Sequence, residues 1–153
     1  MRKIVYERAD GTVVIVMPPA IHRFSTDAEA ERNAFVKLPP DAINPRFVEN
    51  DSIPTDRTFR NAWIANGKGV TVDMTRAKDV CRCQLRTVRA PVLASLDVAY
   101  QRADEANDQK AKSAIATQKQ TLRDITDHPS IDAAKTPDEL KSVLAALNET
   151  IRK

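Results

Sequence analysis

The chain has 153 residues, which is enough for one domain or two very small ones. Hydrophobic residues make up 42% and aromatic residues 5%, so a core of Ala, Val, Leu and Ile favours packed helices over a β-sandwich. The net charge of +3 (24 basic, 21 acidic residues) excludes a polycation, and no apolar run reaches membrane-spanning length.

The first predicted element is a β-hairpin over Lys3 to Met17. Asp10-Gly11 is a strong hairpin-turn signal between two runs of strand-forming residues. The second strand, Thr12 to Met17, is uncharged and apolar without alternation, so its faces must be covered or meet a partner. Val14 and Ile15 are therefore candidate partner-binding residues, through strand addition.

A short helix is predicted next, capped by Ser25 or Thr26, with Glu29 closing a capping box and an end near Val36. Residues 37 to 54 contain four prolines, which predict an extended, partly rigid connector with a short strand at residues 45 to 49.

We expect a small α+β head over residues 1 to 53 and a helical region over residues 54 to 153; the two can pack as one domain. The fold class is therefore α+β and mostly helical, with a β-hairpin followed by an antiparallel helical hairpin and a C-terminal helix.

Residues 55 to 66 predict a short helix, because Phe59, Ala62 and Trp63 recur at helical spacing. Trp63 is the only tryptophan and is interpreted as a packing centre between head and helical region, with anchoring of a partner as the alternative. Arg57 and Arg60 are the expected exposed members of this segment and candidate partner-binding residues.

Two long amphipathic helices follow, and the first begins after Asp73 as N-cap. Its apolar positions recur at about 3.6 residues, the period of an α-helix. They are Met74, Ala77, Cys81, Leu85, Val88, Val92, Leu96, Ala99 and Ala103. Pro91 is expected to bend or divide this helix.

A short link at residues 106 to 108 predicts an antiparallel helical hairpin whose second helix extends to about Ile125, ended by residues 127 to 130. Thr136, Pro137 and Glu139 then form a strong start signal for a C-terminal helix.

The first long helix carries a basic stripe, defined as Lys78, Arg82, Arg86 and Arg89. Spacings of three and four residues place these cations on one helix face. We predict that at least two of the arginines contact acidic residues, within the chain or on a partner. A phosphate contact and a solvated helix face are the alternatives.

The chain shows no recognisable catalytic constellation. Cys81 and Cys83 stand two residues apart, so on a helix they cannot share a metal ion or a disulfide, and Cys81 falls on the apolar face. His22 and His128 stand alone, and the Asp124, Asp127 and His128 group is interpreted as helix termination. We therefore expect no enzyme activity, no cofactor and no metal.

Five segments between Pro54 and Asp124 carry a family resemblance. They are Asp56-Arg-Thr-Phe-Arg-Asn-Ala-Trp63, Val72-Asp-Met74, Leu85-Arg-Thr-Val-Arg89, Leu96-Asp-Val-Ala-Tyr-Gln-Arg-Ala-Asp-Glu105 and Lys119-Gln-Thr-Leu-Arg-Asp124. This run, about half of the chain, resembles small proteins of the structural modules of tailed bacteriophages. Its second half looks like tail assembly and tail-fibre assembly proteins, whereas the N-terminal half departs from the tail-fibre chaperones.

The resemblance implies a virion structural or assembly protein that acts through protein-protein contacts. Its partners would be other phage structural proteins, in a homo-oligomer or hetero-complex, in the virion or in the host cytoplasm during assembly. No secretory signal or membrane segment is expected. The alternative is a nucleic-acid-binding accessory protein that uses the basic stripe.

Overall fold

A computed structural model of the chain describes residues 2–18 and 26–152 and divides into two compact units, residues 1–73 and 74–153. The fold is α+β and mostly helical, which confirms the predicted class. The boundary follows Asp73 instead of residue 53, because a second hairpin over residues 63 to 72 belongs to the first unit.

Within residues 2–18 and 26–73, the first unit shows five strands, one helix and two 3-10 turns. They are β1 Lys3–Glu7, β2 Val13–Val16, α1 Asp27–Val36, β3 Ile43–Val48, β4 Trp63–Asn66 and β5 Gly69–Val72, with the 3-10 turns at Asn50–Ser52 and Arg60–Ala62.

The predicted N-terminal hairpin is confirmed as β1 and β2. Gly11 has a φ of 76°, and the Asp10 carboxylate accepts a hydrogen bond from the backbone N–H of Thr12 at 2.8 Å. The left-handed backbone at the turn explains why Gly stands there. Strand β1 pairs antiparallel with β2 on one side and with β3 on the other, so the sheet has the order β2-β1-β3.

The sheet is covered on both faces. On one face the β4–β5 hairpin completes a hydrophobic cluster; its buried members are Val5, Val13, Val48, Ile53, Trp63 and Val70. On the other face, Ile4 and Tyr6 are buried and α1 contacts β1, while the rings of Phe35 and Phe47 lie 5.3 Å apart. Strand β1 is therefore the centre of a three-layered unit.

Helix α1 begins where the sequence predicts, with Thr26 as N-cap accepting from the backbone N–H of Glu29 at 3.2 Å. The alternative cap, Ser25, lies outside the described residues, as does His22. Glu31 is only 5% exposed, and its carboxylate accepts from the Arg2 backbone N–H at 2.6 Å and from the Arg2 guanidinium at 2.9 Å. This contact ties α1 to the start of β1.

The helix predicted over residues 55 to 66 is wrong. The segment forms the 3-10 turn Arg60–Ala62 and then strand β4, in which Trp63 pairs with Val72. Phe59, Ala62 and Trp63 are buried, so the pattern predicts correctly which residues enter the core. It predicts the wrong backbone conformation for them. A Cβ atom on Gly69 would lie 2.3 Å from the Ser52 carbonyl oxygen, so close packing requires glycine in β5.

The regular elements described in residues 74–152 are helices: α2 Met74–Glu105, α3 Gln109–Asp124, α4 Pro129–Ala133 and α5 Pro137–Arg152, with a 3-10 turn at Ile125–Asp127. Helix α2 is continuous through Pro91, so the predicted division of this helix is wrong. Proline removes only one backbone donor, and Pro91 itself is exposed.

Helices α2 and α3 pack antiparallel, as predicted. The carboxylates of Asp97 and Asp104 pair with Lys119 and Lys112, and these pairs run in opposite directions along the two helices. The short helix α4 was not predicted; His128 caps it by accepting from the Ser130 N–H at 3.3 Å, and Pro129 stands at its start.

Candidate interaction surfaces

Strand β2 is an edge strand with apolar side chains on both faces. Val13 and Ile15 belong to the cluster beneath the β4–β5 hairpin, whereas Val14 pairs with Tyr6 and so lies on the α1 face. Val14, Ile15 and Val16 are each half-buried, and Met17 is 72% exposed. Both predicted partner-binding residues of this strand are thus partly accessible.

The outer edge of β2 offers backbone groups for strand addition. The Arg8 N–H donates to the Thr12 carbonyl at 3.0 Å, so Arg8 and Thr12 are a hydrogen-bonded pair. Such pairs alternate along an antiparallel ladder. The backbone N–H and C=O of Val14 therefore point towards β1, and the backbone N–H groups of Val13 and Ile15 point away from the sheet. No strand within residues 2–18 and 26–152 pairs with this edge.

The basic stripe binds mostly within its own unit. Arg82 donates to the Asp132 carboxylate at 2.7 Å and pairs with Asp79 at 3.4 Å, and Lys78 donates to the Asp132 carbonyl at 2.7 Å. The Asp132 hydrogen bond raises the pKa of the Arg82 guanidinium, which stays charged. These contacts fasten α4 to α2.

Arg89 has a different role. Its guanidinium donates to the Leu122 and Arg123 carbonyls at 2.9 and 2.5 Å, near the C-terminal end of α3. A cation there satisfies carbonyls that the helix leaves unpaired and opposes the helix dipole. The sequence predicts that at least two arginines of the basic stripe contact acidic residues. Among the described contacts, Arg82 is the one arginine of the stripe that does so.

The remaining predicted contact residues are exposed. Arg86 lies on the surface of α2, where its described polar contact is the Cys83 sulfur at 3.9 Å, and Arg57 and Arg60 are exposed in the first unit. Arg86, Arg57 and Arg60 are therefore the most exposed cations of the predicted set.

The helical unit contains an open groove that the sequence did not reveal. A cavity of about 280 Å³ lies where the C-terminal end of α5 meets α2 and α3. Its lining is mainly apolar and neutral, formed by Val92, Leu96, Gln118, Thr121, Leu122, Thr150 and Ile151. The relative lengths of the helices indicate such a groove, because α5 has half as many residues as α2 and cannot cover all of it.

The cysteines lie apart from any metal-ligand cluster among the described residues. Cys81 is buried, and burial raises the pKa of its thiol, whereas Cys83 is exposed; both are free. Within residues 2–18 and 26–152, no three His, Cys, Asp or Glu side chains come together as metal ligands. In the same part of the chain, no helix has the length and apolar character needed to cross a membrane.

Comparisons of the chain with protein-family models, curated proteins and solved structures give no significant match.

Proposed function

We propose that the protein is a non-enzymatic structural or assembly protein of the bacteriophage tail or tail-fibre region. It acts through protein-protein contacts with other phage structural proteins, in a homo-oligomer or hetero-complex, in the virion or in the host cytoplasm during assembly. The segments between Pro54 and Asp124 that resemble such proteins support the biological setting.

The observation that carries the contact mechanism is the edge of β2. Its outward amides belong to Val13 and Ile15, and its strand residues are uncharged and apolar on both faces. Natural sheets usually protect such edges with charges, proline or bulges, so an edge without them favours strand addition.

Nucleic-acid binding by the basic stripe is the alternative, and the contacts give it less support. Lys78, Arg82 and Arg89 donate to groups of α3 and α4, so phosphate binding would have to replace these bonds. The near balance of 24 basic and 21 acidic residues supplies little long-range attraction for a polyanion.

The proposal is tested with Val14→Lys in a phage genome that encodes the protein, followed by mass spectrometry of purified particles. A charge on the α1 face of β2 should reduce incorporation of the protein, or the yield of complete particles, while the helical unit keeps its structure. Val98→Lys is the control for the same chemical change away from β2, because Val98 lies on α2 and is 47% exposed.

Three further results decide the proposal. Absence of the wild-type protein from particles, with normal particles formed without it, would contradict it. Detection only in lysates, with defective tails in its absence, would indicate an assembly chaperone. If Arg82→Gln, Arg86→Gln, Arg89→Gln together abolish salt-sensitive DNA retention but not assembly, nucleic-acid binding replaces the proposal.

A further inference from the structure

The two edges of the three-stranded sheet differ. Strand β3 contains Pro45, which has no N–H, and Asn44 with a φ of 50°; its ladder with β1 shifts register between Val5 and Glu7. Proline, a left-handed residue and a bulge interrupt the regular hydrogen-bonding row that strand addition requires. Strand β2 has none of these features, so within the described sheet regular pairing is directed to the β2 edge.

The side chains of β2 suit pairing with an identical strand. The run from Thr12 to Met17 carries no charge, so two copies placed antiparallel bring no like charges opposite one another. Val13, Val14, Ile15 and Val16 are all β-branched, and β-branched residues pack well across strands. A two-fold axis within this strand makes the new cross-strand contacts among Val13, Val14 and Ile15 apolar on both faces.

We propose that β2 pairs antiparallel with β2 of a second copy of the chain, giving a continuous six-stranded sheet across a two-fold dimer. This partner assignment rests on the proposed function, because it uses the same strand edge. The pairing engages the outward amides of Val13 and Ile15 and partly covers Val14, Val16 and Met17.

The pairing also limits the size of the assembly. Each copy contributes the same edge, so a two-fold interface is closed and leaves the interrupted β3 edges at the two ends of the sheet. The predicted species is therefore a dimer, and not an open chain of subunits.

Analytical ultracentrifugation of the full chain over a range of concentrations tests the pairing. The wild-type protein should dimerise, and Val14→Lys and Val14→Glu should each weaken dimerisation at least about tenfold, because two like charges then meet near the two-fold axis. An equimolar mixture of these two variants should recover dimerisation as a heterodimer. Val98→Lys should dimerise like the wild type.

A monomeric wild-type protein would overturn the proposal, and so would single variants that dimerise normally. Amide exchange of the wild type keeps the test decisive if a variant fails to fold: the Val13 and Ile15 amides should become protected as concentration rises. A monomeric wild type whose Val14→Lys variant still fails to enter particles would reject self-pairing and retain strand addition to another protein. If the wild-type protein dimerises through β2 but takes no part in particles or their assembly, self-pairing is retained and the proposed function is rejected.

Discussion

The two halves of α2 share one apolar period and differ in burial. In the proximal half, Ala77, Cys81 and Leu85 are all 0% exposed. In the distal half, from Val92 to Glu105, only Ala103 is buried, and Val92, Leu96 and Ala99 are half-buried. Helix α5 packs on α2 and ends beside Val92 and Leu96, while α3 pairs with the distal half. The helical period therefore identifies the apolar face of α2, and the number of neighbouring helices determines how deeply that face is buried.

Leu85→Ala should give the largest effect and tests the buried half. Removing a fully buried leucine costs transfer free energy and leaves a cavity, so the free energy of unfolding should fall by about 2–5 kcal/mol. Urea unfolding followed by circular dichroism measures it. A loss below about 1 kcal/mol would mean that the proximal half is no better packed than the distal half.

Arg89→Gln tests the point where the two halves meet. It removes the guanidinium that donates to the last carbonyls of α3, with an expected loss of about 1–2 kcal/mol, discounted for partial exposure. Arg86→Gln is the control, because Arg86 is exposed and lacks these contacts, and it should change stability by less than about 0.5 kcal/mol. If the two variants lose the same free energy of unfolding, Arg89 does not stabilise the end of α3.

Leu96→Ala should cost about 1 kcal/mol, clearly less than Leu85→Ala, since Leu96 is half-buried beside the open groove. The same urea titration measures it. A loss as large as that of Leu85→Ala would break the comparison, because it would indicate that the groove is filled in solution.

Asp104→Asn should have the smallest effect. Its pair with Lys112 lies near the end of the helical hairpin with the carboxylate largely exposed, so the cost should stay within about 0.5 kcal/mol and vanish in high salt. Hydrogen exchange of α3 at two salt concentrations measures it. A larger, salt-independent loss would show that this end of the hairpin is held more firmly than its burial indicates.

Local signals predicted most of the elements. Asp10-Gly11 fixed the hairpin turn, Thr26 and Glu29 the start of α1, and the helical period the antiparallel hairpin of α2 and α3. Residues close together in the sequence specify these elements, so the sequence alone predicts them.

The errors come from contacts outside the segment that carries the pattern: a neighbouring strand for Trp63, and partners distant in sequence for the basic stripe and the groove. The spacing of Phe59, Ala62 and Trp63 fits a helix, yet pairing of Trp63 with Val72 and burial in the cluster select a strand. The basic stripe was recognised, but its acidic partner Asp132 lies in α4, a helix that was not predicted. The lengths of α5 and α2 indicate that part of α2 is left uncovered, but the position of the groove depends on where α5 ends against α2, which no local pattern encodes.

The contact between Arg2 and Glu31 makes the first unit sensitive to acid. Hydrogen bonds from the Arg2 side chain and backbone lower the pKa of the Glu31 carboxyl in the folded protein. Its contribution to stability is therefore complete above the ordinary glutamate pKa and disappears as the pH falls through the lowered value. Protonation would weaken this tie between α1 and the start of β1, while the packing of Phe35 on Phe47 still holds α1 over the sheet.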